Sequence, residues 1–527
     1  MKNVVLGAAV AAALFGGAAQ ADVTLDGNGK VVVTPANTYE IYLSGASAAL
    51  EYIEHLSTST TVTAAERLCD STKPVFKFKD NGSGKDQDAY LCSLNPLNPQ
   101  LVGLAGGKTN LMIYKRSKGG SAFGVSPIIA EAKGASASIQ FLNVDPSICS
   151  VPSPAPAAGV LSTSTCTYSE TTVGQYQSKV PDFGISDVDP EQFRGVNTPS
   201  GFEAISASDV NFLNVESAGG QVFGIGATLK FRNALQEAQF GVGNACVGSE
   251  TEACMPSLTR DQIASILTGK IDSWQDLKIG TSNVFANASA AYKPTGFTGH
   301  RVHVCTRTDG SGTKAQMGIN FLNYPCASAA TAPKAGNTSV PEVVAETKVH
   351  QMSSSGTVSE CMGELDSGSN TIGSAFNNTY GTRWAIGIQG LEKNASRSED
   401  WRFVKIDGIT PTLENVAKGK YHDWAELTFQ YSKTHVFDAG EKAIVDEFIK
   451  AASNPAVIVT LNATNNHSFG QSGYLASPKN YTPETNGVFA ASYPVNPYSH
   501  ATTSQSVNNC RIPAVYDLGT SRGIQLQ

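Results

Sequence analysis

The run Arg307-Thr308-Asp309-Gly310-Ser311-Gly312-Thr313 gathers a guanidinium, the hydroxyls of Ser311 and Thr313 and two glycines into one short stretch. Residues 301–306 before it read as a strand. Residues 314–324 after it carry Ala315, Ile319 and Leu322 at helical spacing, which places Ser311-Gly312-Thr313 at a helix N-terminus. The first turn of a helix leaves backbone N–H groups unpaired, and the helix dipole adds partial positive charge there. Small residues let an anion approach those donors, and Arg307 adds a bidentate cationic fork. Residues of these types in this order can hold a tetrahedral oxyanion. The same run is equally consistent with an ordinary polar turn.

The pattern recurs upstream. Ile41-Tyr42-Leu43 reads as a short strand, and Ser44-Gly45-Ala46-Ser47 leads from it into a helix marked by Ala49, Leu50, Ile53 and Leu56. Leu111-Met112-Ile113-Tyr114 reads as another strand, with Ser117-Lys118-Gly119-Gly120-Ser121 opening a further helical segment. Three strand-to-helix junctions thus bring hydroxyls and glycines to a helix start. If they converge, three sets of backbone N–H groups face one point, and dipoles plus one Arg meet the ligand's charge in a buried site. Each junction alone also reads as a simple helix cap, because Ser, Thr and Gly favour N-caps anyway.

Asp187, in Pro181-Asp182-Phe183-Gly184-Ile185-Ser186-Asp187-Val188-Asp189-Pro190, bears on the choice. A carboxylate in an anion site repels a fully deprotonated oxyanion such as sulfate. It accepts a hydrogen bond from an anion that keeps a proton, as phosphate does near neutral pH, so discrimination rests on a repulsive element as well as attractive ones. The alternative is a loop carboxylate capping a nearby helix, a part that Asp182 or Asp189 could play equally.

With these residues the chain resembles the phosphate-binding proteins of bacterial ABC transporters, which belong to the type 2 periplasmic binding proteins. In that family a GA-[ST] turn opens the chain, a Ser-Gly-Gly loop follows, a strand ends in DFG-x-SD, and R-x-DGSGT lies in the second lobe. All four occur here in that order. Leu258 to Ile271, Trp384-Ala385-Ile386-Gly387, Asp407 to Tyr421 and the segment from Ala443 to Ala452 resemble later family elements. The first of these is well formed on its own terms, with Thr259 and Gln262 as a capping box and Gly269 as a stop. The resemblance implies an anion ligand set of Ser47, Ala48, Ser117, Asp187, Arg307, Ser311, Gly312 and Thr313, with Asp309 holding the Arg307 guanidinium in place. Two departures fall in these loops: Ala48 stands where the family has Phe, and Lys118 intrudes in the Ser-Gly-Gly loop.

The implied fold is α/β, a two-lobed type 2 periplasmic-binding-protein fold with two mixed sheets flanked by helices and joined by a two-strand hinge. Lobe I is expected over 22–218 plus 398–527, and lobe II over 219–397. Extra segments near 57–109 and 143–178 read as small loop-rich lobes with little core of their own. A polar, Ser/Asn/Tyr-rich tail follows Asn462. Asp80 to Asp88 has the look of a calcium loop but lacks its closing Glu, so a solvated loop is expected.

Residues 1–21 read as a cleavable secretory signal, with Lys2, an apolar stretch from Val4 to Phe15, and Ala19-Gln20-Ala21 before Asp22. No cysteine follows to take a lipid anchor, and no other segment reaches the ~18 apolar residues of a membrane span. A periplasmic or secreted location follows, without membrane insertion. The net charge of -7 and the absence of a basic run argue against nucleic acid as a partner. Ten cysteines in an exported chain read as a disulfide framework, and local spacing pairs Cys69 with Cys92, Cys149 with Cys166 and Cys246 with Cys254. Cys305, Cys326, Cys361 and Cys510 stay unassigned. There is no paired C-x-x-C for zinc, no H-E-x-x-H and no G-x-S-x-G, so neither an enzyme nor a cofactor or metal is expected. The expected function is capture of inorganic phosphate between two lobes, for delivery to an ABC permease as partner. The alternative is an extracellular or surface-assembly protein built on the same fold, with phosphate scavenging secondary or lost.

Overall fold

The computed structural model describes residues 23–59, 62–82, 86–370, 376–483, 489–501, 506–516 and 521–525. The expected leader, 1–21, lies outside them. Among the described residues the molecule is built on a thirteen-stranded mixed sheet. Its first half comprises β1 (Thr38–Gly45), β2 (Val75–Asp80), β3 (Gln87–Ser93), β4 (Asn110–Arg116), β5 (Leu161–Cys166) and β6 (Phe183–Ser186), in the spatial order β6-β1-β4-β3-β2-β5. Strands β6, β1 and β4 run parallel. Alternation of side chains gives the half-sheet two buried faces. Ile41, Leu43, Leu111, Ile113 and Phe183 pack with Ile53 and Leu56 of α1 (Leu50–Thr58) and with Phe448 and Ile449 of the Glu441–Ala452 helix. Tyr42, Phe76, Phe78, Leu91, Met112, Tyr114 and Phe141 form a separate core on the other face.

The extra segments are therefore not loop-rich lobes. They supply β2, β3 and β5 and widen the sheet, with β5 at its edge. Val75, Phe76 and Phe78 on β2 and Ala89 and Leu91 on β3 are buried, so these strands satisfy their apolar side chains by joining an existing sheet. Burying such side chains stabilises by roughly 1.5–3 kcal/mol each, far more than a separate small lobe could recover.

The second half of the sheet begins within β7 (Leu213–Thr228), a sixteen-residue strand. It comprises β8 (His303–Arg307), β9 (Lys348–Met352), β10 (Ala385–Gly390) and β11 (Trp401–Phe403); β12 (Trp424–Ser432) and β13 (Tyr474–Ala476) return to the first half. Residues Leu213–Val222 of β7 pair with β12, and Phe223–Ala227 pair with β10. The two expected sheets are the two halves of this path, joined where β7 passes from one to the other. Strand β8 lies between β9 and β10, parallel to both. Phe231, Trp274 and Trp384 centre the second core, with Phe231 and Trp274 ring centroids 4.3 Å apart. The Arg260–Leu267 helix packs there and carries the anticipated Thr259–Gln262 capping box. No described helix is long and apolar enough to cross a membrane.

All ten cysteines are paired. Cys69–Cys92, Cys149–Cys166 and Cys246–Cys254 form as local spacing suggests. The remaining four pair at long range. Cys305–Cys361 joins β8 to the Ser355–Ser367 helix, and Cys326–Cys510 closes a separation of 184 residues between the segment after Leu322 and the tail. The tail also grips the first half: the Asn509 N–H donates to Asp189 Oδ2 at 2.6 Å, and the Asp189 N–H donates to Asn509 Oδ1 at 2.7 Å. Mass spectrometry of the alkylated, non-reduced protein is expected to find no labelled cysteine; labelling of four or more would break this framework.

Candidate functional site

Because β1, β4 and β6 are parallel neighbours, their C-terminal ends share one edge of the sheet. Register sets Ser44 beside Arg116 and Gly45 beside Ile185, so the loops carrying Ser47, Ser117 and Asp187 leave the sheet side by side. From the other half-sheet, β8 delivers Arg307 and then α2 (Gly312–Leu322). The halves meet closely here: the Ala122 N–H donates to the Gly310 carbonyl at 2.9 Å. A Cβ on Gly312 would stand 2.4 Å from Ser121 Oγ and 2.8 Å from Asp187 Cβ, so only glycine admits this approach of the α2 start.

Asp187 is 1% exposed. Its Oδ2 accepts from the Thr313 hydroxyl at 3.0 Å and its N–H donates to Ser121 Oγ at 3.2 Å, while Oδ1 is buried with no partner among the described residues. Burial pushes its carboxyl above the usual range, opposed by the Thr313 hydrogen bond and by the charges of Arg307 and Lys115. The neighbouring carboxylates differ. Asp182 Oδ2 accepts from the Tyr42 N–H at 2.6 Å, and Asp189 holds the tail and the Gln192 amide. Those two serve the fold.

Arg307 is buried at the end of β8. Its Nε donates to the Met352 carbonyl at 3.2 Å, Nη1 to Ser355 Oγ at 3.3 Å and Nη2 to the Ser353 carbonyl at 2.6 Å. Burial lowers its pKa to about 10, against the pull of Asp187 and Asp86. Asp309 does not hold this guanidinium, contrary to expectation. Its Oδ1 accepts from Lys314 Nζ and from Gln351 Nε2, and its side chain is nearly half exposed. The reason is local geometry: Asp309 sits in the turn before α2, within reach of a lysine on the first turn of that helix, whereas the Met352 and Ser353 carbonyls at the end of β9 and the Ser355 hydroxyl already enclose Arg307.

The hydroxyls separate the cap reading from the site reading. Ser311 is the N-cap of α2 and accepts from the Lys314 N–H at 3.4 Å. Ser47 makes no cap to α1, and its buried Oγ has no partner among the described residues. Ser117 caps no described helix; its Oγ accepts from Lys115 Nζ at 3.1 Å. The second junction opens on a 3-10 turn, Ser121–Gly124, before a seven-residue helix, so it offers loop donors and not the long helix start that the spacing predicts. The Ala48 carbonyl accepts from Gln221 Nε2 at 3.3 Å and Tyr474 OH at 3.4 Å, which ties the first loop to β7 and β13. Lys118 turns outward to Glu170 at 2.7 Å.

Three residues went unread as site residues. Lys115 is fully buried and donates to the Gly45 and Arg116 carbonyls as well as to Ser117. Ser121 receives the Asp187 N–H. Asp86, whose carbonyl accepts the Ser117 N–H at 2.7 Å, has its carboxyl pushed up to about 6 by burial, with the Arg307 charge opposing. A cation closing the apolar run Leu111 to Tyr114 was the available signal for Lys115.

No family model and no curated protein matches the chain. Among solved structures, it is similar to a putative phosphate ABC transporter substrate-binding protein with bound phosphate from Clostridium perfringens, at 13% identity and a TM-score of 0.36, covering 80% of this chain and 98% of that one. It is also similar to a high affinity periplasmic phosphate-binding protein (PfluDING), at 10% identity and a TM-score of 0.37 over 82% and 91% of the two chains. An ABC-type phosphate transport receptor from Vibrio cholerae follows at 15% identity and a TM-score of 0.28, over 54% and 79%. Superpositions this loose transfer no role, and the functional reading stands on the residues themselves.

Proposed function

We propose that this protein captures inorganic phosphate between two lobes and hands it to an ABC permease, outside the inner membrane. In this reading two crossings join the lobes, one where β7 passes from β12 to β10 after Val222 and one where the chain returns from β11 to β12. Arg307 supplies the cationic fork, the start of α2 and the Ser47 and Ser117 loops supply neutral donors, and Asp187 accepts the proton that phosphate retains. Opening admits the anion and closure excludes water.

The observation that carries this reading is Asp187. A wholly buried carboxylate is costly unless something offsets it. Here one oxygen is bonded to Thr313 at the start of α2, the other has no partner among the described residues, and a buried guanidinium lies within electrostatic range. Calorimetric titration of the protein, freed of endogenous anion by partial unfolding and dialysis, is expected to show saturable binding of phosphate and of arsenate and far weaker binding of sulfate. A protein that takes up no phosphate in that titration would end the proposal.

The tail favours a second reading. Cys326–Cys510 and the Asp189–Asn509 pair tie the segment after α2 to the loop after β6, across the same gap that must open for release. A protein held closed in this way suits sequestration or a surface assembly better than delivery. Slow phosphate release from the disulfide-intact protein, made fast by Cys510→Ser, would support it.

A further inference from the structure

Lys115 is the penultimate residue of β4, where a strand otherwise lined by Leu111 and Ile113 approaches the candidate anion site. Its ammonium has three N–H donors, and three acceptors surround it: the Gly45 carbonyl at 3.1 Å, the Arg116 carbonyl at 2.9 Å and Ser117 Oγ at 3.1 Å. None is left to touch a ligand. The two carbonyls can only accept, but a serine hydroxyl can accept or donate. A protonated Lys115 makes Ser117 Oγ an acceptor and leaves the hydroxyl proton for the anion. A neutral Lys115 keeps two donors for the carbonyls and presents a lone pair to Ser117, which then donates to the amine and offers the anion only lone pairs.

We propose that Lys115 is a positioning residue whose ammonium orients the Ser117 hydroxyl as a donor to the bound anion, so that its protonation sets the affinity of the site. The proposal rests on the phosphate-binding reading and adds the residue that regulates it. Burial lowers the Lys115 pKa to about 7, opposed by Asp88 directly across on β3, Asp187 after β6 and Asp86, while Arg116 adds to the lowering. Asp88 is itself pushed up to about 7 by burial, with Lys77 opposing. A lysine that is half neutral near pH 7 without ligand gains a proton when an anion arrives. The affinity contribution of the pair is therefore full below that pH and lost as pH rises, by up to about tenfold per unit.

The test is calorimetric titration with phosphate at pH 6, 7.5 and 9 for the parent, Lys115→Met, Ser117→Ala and the double variant. Phosphate and Asp187 titrate in all four proteins, so only the differences report on Lys115. Each single variant is expected to weaken binding about tenfold or more at pH 6 and little at pH 9, and the double variant is expected to lose no more than either single. Additive losses, or a Lys115→Met loss that is the same at all three pH values, would overturn the proposal. If Lys115→Met does not fold, the ratio of parent to Ser117→Ala affinity decides: a ratio constant from pH 6 to 9 overturns it. A parent that fails to bind phosphate at any pH overturns the function and this inference together, whereas failure of the pH dependence in a binding parent overturns this inference alone.

Discussion

Arg307→Lys is expected to weaken phosphate binding by about 1.5–3 kcal/mol, or ~10–150-fold, although it keeps the charge. A guanidinium has five N–H donors in a planar fork. In this protein three of its donor contacts go to Met352, Ser353 and Ser355, which fix the plane of the group and leave donors for an anion. A lysine ammonium has only three donors and no fork. It must abandon either the carbonyls, leaving them buried and unmatched, or the ligand. Binding should therefore fall through lost geometry, not lost charge. The measurement is a phosphate titration of the variant, with a thermal melt to show that it is folded. Unchanged affinity in the folded variant would remove Arg307 from the site.

Asp187→Asn is expected to raise sulfate affinity by at least about tenfold, because it removes the repulsive element on which discrimination rests. The buried Oδ1 has no partner among the described residues, so a protonated oxyanion can donate to it, and a fully deprotonated one meets only repulsion. Asparagine removes that negative charge and adds a donor. Phosphate loses an acceptor and is relieved of repulsion at once, and the two changes oppose each other. Sulfate has nothing to lose. Because burial holds the Asp187 carboxyl above its usual range, the parent should also discriminate less well as pH falls and the carboxylate takes up a proton. Competition binding of sulfate against phosphate reads both effects. A variant that rejects sulfate as strongly as the parent makes Asp187 a loop carboxylate and removes the chief chemical support for phosphate.

Much of the molecule is written in short-range patterns. The Thr259–Gln262 box, the Ser311 cap, the apolar repeats of α1 and α2 and the three near-neighbour disulfides all arise between residues close in sequence, so local rules suffice to read them. The α/β class is legible for the same reason, since each strand-to-helix junction is a local event. Tertiary structure alone decided which groups face each other. Four cysteines with no near partner were paired only when β8 met the Ser355–Ser367 helix and the tail reached Cys326. Asp309 follows Arg307 by two residues, yet it bonds to Lys314 and Gln351, because proximity in sequence does not set direction in a turn. The segments near 57–109 and 143–178 look like independent insertions until β2, β3 and β5 find an open sheet edge, a choice made by burial of apolar area and not by propensity. Lys115 shows the limit most clearly. In sequence it is one cation after four apolar residues, and only the parallel register of β1 and β4, which sets Leu43 beside it, brings the Gly45 carbonyl to an ammonium that also meets the Ser117 hydroxyl two residues on.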